Sequence, residues 1–303
     1  MEEIILHQYE TSPFSEKIRK ILALKDLDWR GVEQPIIAPK PKLTPLTGGY
    51  RRIPVLQIGA DIYCDTARIA QALETVKSEP SCYPGANAGT CEIIAHWADH
   101  WLFSASVPPA VYKLLDVLPP EFMKDRQAMS PGFTIENLKA SLPDARNRLL
   151  VGLDWLDSQL GARDFLLGSS FSLADAACFH PLWFLRSDPE SFAAIEARPT
   201  LKGWFDRVDG MGRGRMTALD ADEALALAQQ SLPLTPERSD GTDPNGLRPG
   251  DRISISADDY GVERVSGVAV VVTASEIALK REDPSVGEVV VHFPRAGYRV
   301  AKN

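Results

Sequence analysis

The sequence predicts three consecutive units: a small α/β domain, an all-α helical bundle and a small all-β, barrel-like domain. Three observations carry that prediction. Residues 1–78 alternate short apolar strand patterns with amphipathic helical ones, residues 90–231 keep a helical period, and residues 247–303 hold short β-branched runs separated by turns. Two stretches rich in turn formers, "SEPSCYPGANAG" at 78–89 and "LPLTPERSDGTDPNGLRPGD" at 232–251, read as linkers. With 303 residues the chain is long enough for two or three compact units, each with its own core.

The elements follow in order. An apolar strand spans 4–7, and a helix starts near 13, where Ser12-Pro13 is a helix-start signature: the hydroxyl caps free N–H groups and proline at the first helical position loses no hydrogen bond. Phe14, Ile18, Ile21 and Leu22 then face inward, while Lys17, Arg19, Lys20 and Lys25 are expected to stay in water. A strand is expected near 30–37, two strands meet at Gly59-Ala60, and a helix begins near 66 with Asp65 and Thr66 at its start. The second unit is read as helical throughout, with a stripe of Leu149, Leu153, Leu156 and Leu160 and breaks at "VPPA", "LPPEF" and "SPGF". In the third, "RISIS", "GVAVVVT", "EIALKR" and "EVVVHF" read as antiparallel strands. His292, Arg295, Tyr298 and Arg299 fall in "VVVHFPRAGYRV", read as a solvated barrel edge with a ligand rim as the rival.

Composition narrows the function classes. No run is long enough to span a bilayer and no signal-peptide pattern follows Met1, so a cytoplasmic protein with no membrane partner is expected. The net charge of -8 speaks against nucleic acid. Cys64, Cys82, Cys91 and Cys178 lack CxxC spacing, and His96 and His100 at i, i+4 lack a third ligand, so no metal site and no disulfide framework is expected. Residues 1–78 carry 11 positive and 10 negative charges, and within them Lys40, Lys42, Arg51 and Arg52 form a basic cluster suited to a small anionic ligand.

Taken together, a strand, a Ser-Pro-Phe helix, a basic loop, an Ile-Pro hairpin and an Asp-Thr helix, followed by an all-helical domain, resemble the cytosolic glutathione transferase superfamily, nearest to its serine-type, tau-like classes. The resemblance covers residues 1 to about 230 and includes "FSLADAACF" at 171–179, a capping-box helix through Ser172 and Asp175. It implies a thioredoxin-like glutathione-binding domain over 1–78 and a helical substrate domain over 90–231. It further implies that Ser12 donates to the glutathione sulfur, with Tyr9 and Ser15 as rivals, and that Pro54 is cis, leaving the Ile53 backbone for the cysteinyl part. Asp65 and Thr66 would hold the γ-glutamyl end, and Arg52 with Lys40 or Lys42 the glycine carboxylate. The family usually carries Glu-Ser where this chain has Asp65-Thr66, which shortens the acid's reach.

Those residue types suit the chemistry. A free thiol has a pKa of ~8.5, and lowering it by ~2 units takes about 2.7 kcal/mol of preference for the thiolate. A hydrogen bond to a charged group supplies roughly 1.5–3 kcal/mol and a helix N-terminus ~0.3–1 kcal/mol more. An N-cap serine can therefore serve both a helix and a bound thiolate.

The aromatic stripe Trp97, Trp101, Phe103 and Tyr112, with Phe14, is either bundle core or the wall of an apolar electrophile pocket, where the superfamily places one. The expected function is a glutathione transferase of the detoxification type, with glutathione as co-substrate, joining its thiol to a small, mainly apolar electrophile. A binding or scaffold protein on the same fold, and a glutathione-dependent isomerase or lyase, are the alternatives. By the same resemblance the chain is expected to form a homodimer.

Overall fold

The computed structural model describes residues 3–241 and 243–303. The chain opens with β1 (Ile4–Gln8), α1 (Pro13–Leu24), β2 (Asp28–Glu33), α2 (Thr44–Thr47), β3 (Val55–Ile58), β4 (Asp61–Cys64) and α3 (Thr66–Val76). The strands lie in the order β2-β1-β3-β4, with β1 parallel to β2 and β3 antiparallel to β1 and β4, a thioredoxin-like core. β3 and β4 turn tightly at Gly59, whose φ of 57° is a left-handed value that glycine tolerates at no steric cost. Every residue of β1 is buried, because both sheet faces are covered. Ile4 and Leu6 join Ile18, Ile69 and Leu73 on one face, and Ile5 packs with Val32 and Leu219 on the other.

The bundle comprises α4 (Ala88–Trp97), a π-helical turn over 98–102, α5 (Phe103–Leu114), α6 (Phe122–Met129), α7 (Ile135–Leu160), α8 (Leu173–Phe184), α9 (Pro189–Glu196) and α10 (Pro199–Gly210). Leu149, Leu153, Leu156 and Leu160 are buried along α7. Ser172 and Asp175 close the expected capping box at the start of α8, and the same carboxylate accepts from Leu166 N and Trp204 Nε1 at 2.8 and 2.9 Å. The break expected at "VPPA" does not occur: α5 runs through Pro108 and Pro109. Proline removes an intrahelical bond, but here Ala105, Ala110 and Val111 are buried on the side packed against α7 and α8, and that burial holds the helix together.

The four cations of α1 and its C-cap expected in water are buried instead; Lys17, Lys20 and Lys25 find partners far along the chain and Arg19 finds local ones. Lys17 Nζ donates to Asp99 Oδ2 at 2.6 Å and Thr66 Oγ1 at 3.0 Å. Arg19 pairs with Glu10 and Glu16, Lys20 donates to the carbonyls of Asp209 and Gly212, and Lys25 reaches Glu74 and the carbonyls of Lys77 and Pro80. Amphipathic spacing identifies one apolar face, but α1 packs on Leu6 and Leu56 of the sheet and against α3 and α8, which leaves it little solvent side; its long side chains carry their charges to acceptors at its flanks.

Helical structure does not run unbroken over 90–231, because a strand interrupts it. After α10 the chain returns to the first sheet as β5 (Arg215–Ala218), parallel to β2, and α11 (Ala221–Gln230) packs on β10, β2 and α2. Then follow β6 (Arg238–Ser239), β7 (Arg252–Ala257), β8 (Val265–Val272), β9 (Glu276–Asp283), β10 (Gly287–Pro294) and β11 (Tyr298–Lys302). The last five pair antiparallel in the order β11-β7-β8-β9-β10. Only residues 295–297 join β10 to β11, which stand at opposite ends of that order, so the sheet must curl, giving the barrel-like form.

β10 also pairs in parallel with β4, Val290 opposite Asp61 and His292 opposite Tyr63, so both domains share one eleven-stranded sheet among the described residues. Val55, Ile62 and Cys64 share a core with Ile253, Leu279, Val291 and Phe293. His292 is neither a solvated edge nor a rim. It is buried in this seam, its ring nitrogens 2.7 Å from Glu276 Oε1 and 3.1 Å from Asp61 Oδ1, because β10 is covered on its other edge by β4.

Candidate functional site at one end of the first sheet

Strand register gathers the predicted residues. His7 of β1 lies opposite Val55 of β3, and Val55 lies opposite Cys64 of β4. The segment after β1 (Tyr9 and Ser12), the residues before β3 (Arg52, Ile53 and Pro54) and the residues after β4 (Asp65 and Thr66) therefore emerge at the same end of the sheet.

Ser12 is the N-cap of α1; its Oγ accepts from Ser15 N at 3.1 Å and keeps its own proton to donate. It is 1% exposed. Ser15 is buried within the first turn, and Tyr9 lies under the Lys40 ammonium, 5.9 Å from its ring centroid. The Ile53-Pro54 bond is cis. Asp65 caps α3 by accepting from Ala67 N at 2.9 Å and holds φ 74°, ψ 138°, a left-handed value that costs a non-glycine residue about 1–3 kcal/mol. Thr66 Oγ1 accepts from Lys17, so its proton is left for an outside acceptor.

The cations are all engaged by the chain itself. Lys40 Nζ donates to Pro35 O, and burial, together with Arg126 and Arg51, pushes its ammonium down from 10.5 to about 8. Lys42 pairs with Asp222 on α11. Arg52 pairs with Asp259, donates to Tyr260 O, and stacks 3.9 Å from the Tyr260 ring centroid. Arg51 pairs with Asp125 on α6 and lies 3.6 Å from Glu263. The loop 258–264 of the C-terminal domain thus reaches across the site to the bundle, where Gly261 N donates to Met129 O at 3.0 Å.

The remaining wall divides in two. Phe14 meets Phe103 at 4.7 Å and His180 at 4.6 Å, and Phe103 reaches Phe184 at 6.3 Å, an aromatic patch beside Ser12. Trp97 and Trp101 instead stack with Trp155 of α7, and Tyr112 is half-buried farther along α5. A separate cleft lined by Leu24, Glu79, Tyr83 and Phe171 contains none of the predicted residues and lies at the opposite end of α1, about 18 Å from Ser12 at 1.5 Å per residue.

Sequence reasoning missed Tyr50, Asp259 and Tyr260, and it read Tyr298 as barrel edge with a ligand rim as the rival. Tyr298 Oη donates to Asp65 Oδ2 at 3.1 Å and lies 3.2 Å from Tyr50 Oη. No local pattern ties Asp259, Tyr260 and Tyr298 to the site, because they reach it only through the pairing of β10 with β4. It also missed Asp99 and His180, which meet Lys17 beneath Thr66. The π-helical turn carrying Asp99 is the structural mark, since such turns gather at functional sites.

Against known proteins, a sequence model of the glutathione S-transferase N-terminal domain matches residues 6–81, and one of the C-terminal domain matches residues 139–207. Among solved structures, a GST-like protein from Pseudomonas syringae is 40% identical, with each chain covering 100% of the other and a TM-score of 0.79. A glutathione S-transferase from Methylobacterium radiotolerans, solved in complex with glutathione sulfonate, is 20% identical with a TM-score of 0.52, covering 72% of this chain and 97% of that one. A rice transferase in complex with glutathione is 22% identical with a TM-score of 0.51, covering 69% and 86%; these two show the fold alone. No curated protein matches. With two domain models in the expected order and a full-length relative at 40% identity, the chain belongs to the glutathione S-transferase superfamily.

Proposed function

We propose that this chain is a glutathione transferase in which Ser12 stabilises the thiolate of bound glutathione for addition to a small apolar electrophile. The observation that carries this reading is the convergence, set by strand register, of the N-cap serine of α1, the cis Ile53-Pro54 bond and the strained Asp65 at one sheet end. The Ser12 hydroxyl has an accepting lone pair satisfied and a proton to give, and it stands at the positive end of a twelve-residue helix. Asp65 and Thr66 present a carboxylate and a hydroxyl for the γ-glutamyl ammonium and carboxylate. The Phe14, Phe103 and Phe184 patch offers the electrophile its apolar wall. Catalysis then consists of thiolate stabilisation and proximity.

The test is calorimetric titration with glutathione alongside ultraviolet detection of thiolate and turnover of a chromogenic electrophile. Ser12→Ala is expected to cut turnover by about 10²-fold or more, as loss of one oxyanion donor does, while leaving glutathione affinity within a few-fold. Unchanged turnover sinks the assignment.

A homodimer through the bundle is part of this proposal. Ile93, Val151 and Trp155 are 72%, 43% and 55% exposed, on α4 and α7 beside the stacked Trp97 and Trp101, an apolar face that a second copy would cover. A scaffold on this fold is the second reading; what favours it is the capture of Arg52 by Asp259 and Tyr260.

A further inference from the structure

Three cations are assigned by the resemblance to the glycine carboxylate, and each is engaged by the chain itself. Lys40 is committed to Pro35 O over the Tyr9 ring, Lys42 to Asp222, and Arg52 to Asp259 and Tyr260. The hold on Arg52 has three parts: a carboxylate on the guanidinium, a backbone carbonyl on the same nitrogen, and an aromatic ring against its flat face. A carboxylate of a bound thiol would have to compete with Asp259 for Arg52, since a guanidinium engaged by one carboxylate gains little from a second of the same charge. The loop is anchored as well as engaged. Gly261 has φ 56°, and a Cβ there would approach Met129 Cε to 2.8 Å, so the loop lies close against the end of α6. Glu263 faces Arg51, and Tyr298 of the same domain binds Asp65 at the opposite end of the site.

We propose that Asp259 and Tyr260 determine the thiol specificity of this site: by holding Arg52 they withdraw the cation that would take a terminal carboxylate. The site therefore accepts γ-glutamyl-cysteinyl thiols with an uncharged far end at least as well as glutathione itself. The inference rests on the reading of Ser12, Ile53 and Asp65 as a thiol site, and the cis-proline backbone and γ-glutamyl groups remain the anchors in both cases. Among relatives, the structures similar only in fold cover 68–72% of this chain, whereas the Pseudomonas syringae protein covers all of it, so the loop belongs to the part shared with the latter.

The experiment measures dissociation constants for glutathione and for its glycine ethyl ester on the full chain and on Asp259→Asn and Asp259→Glu. In the wild type the two probes are expected to bind within about threefold of each other. Asp259→Asn frees Arg52 and should tighten glutathione about tenfold or more, as a charge-assisted hydrogen bond does, while moving the ester little. Asp259→Glu keeps the charge and should keep the wild-type ratio. A wild type that already prefers glutathione by tenfold or more, or an Asp259→Asn that leaves the ratio unchanged or weakens glutathione, overturns the proposal and leaves the thiol site standing. Absence of binding by both probes to the wild type and both variants overturns the thiol site together with it.

Discussion

Replacing Asp99 with Asn removes the charge that joins α1 to the bundle while keeping the shape of the side chain. The carboxylate accepts from Lys17 Nζ at 2.6 Å and lies 2.9 Å from His180 Nε2, and Lys17 is wholly buried. Without it an ammonium remains in an apolar interior with no counter-charge, a loss of about 3–5 kcal/mol for a broken buried pair. The carboxyl itself supplies a second figure: burial pushes it up, yet Lys17 and His180 hold it from 3.8 down to about 2, which corresponds to roughly 2 kcal/mol of stability at neutral pH. Because the folded-state value lies below the unfolded one, that contribution is complete above about pH 4 and lost as pH falls through about 2. Urea denaturation followed by tryptophan fluorescence reads the change. Asp99→Asn should lose at least about 2 kcal/mol, and adding Lys17→Met should recover part of it, since the uncompensated charge is then gone. A loss below about 1 kcal/mol, or strictly additive effects of the two substitutions, would refute the reasoning. Thr66 shares Lys17, so Asp99→Asn should also weaken glutathione binding.

Three more outcomes follow from other parts of the molecule. Burial, with help from Arg126 and Arg51, lowers the folded-state pKa of Lys40 from 10.5 to about 8, so stability should rise with pH between these values, by roughly 1.5 kcal/mol from pH 8 to about 9.5. Lys40→Met should flatten that rise in denaturation curves; an identical rise in both forms counts against it. In the seam, burial raises Asp61 and Glu276 but hydrogen bonds from His292 bring both below their usual range. His292→Phe leaves two buried carboxylates without that partner and removes the contact with Thr235 Oγ1, so limited proteolysis next to Leu234 and Thr235 should be faster than in the wild type; an equal rate counts against it. Trp155→Asp should shift sedimentation from dimer to monomer; a monomeric wild type would remove the homodimer reading.

Much of the architecture was legible because it is local. Ser12-Pro13 starts α1 at the expected residue, Gly59-Ala60 turns the hairpin, Ser172 and Asp175 cap α8, and the β-branched runs after residue 251 form β7 to β10. Capping, turn chemistry and period-2 patterning act over a few residues, so they can be read without knowing what lies opposite. The motif that places Ser12, Pro54 and Asp65 is equally local, and strand register then brings its parts to one end of the sheet.

What only the tertiary structure decided is where charge and edges end up. The spacing of Lys17, Arg19, Lys20 and Lys25 is that of a wet helix face, and only the packing of α1 on the sheet, α3 and α8 shows that these cations are buried and must each find an acceptor. Nothing in "RMTA" (215–218) or "EVVVHF" (288–293) says that these strands will extend the first sheet at its two edges, because pairing partners far apart in sequence are chosen by backbone hydrogen bonding and shared apolar cores. The sequence by itself determined the three kinds of unit, the motif of Ser12, Ile53-Pro54 and Asp65, and the superfamily. The fold decided that the C-terminal strands join the first domain through β4, and that by this route Asp259, Tyr260 and Tyr298 reach Arg52 and Asp65, contacts spanning more than two hundred residues that no local physical preference encodes.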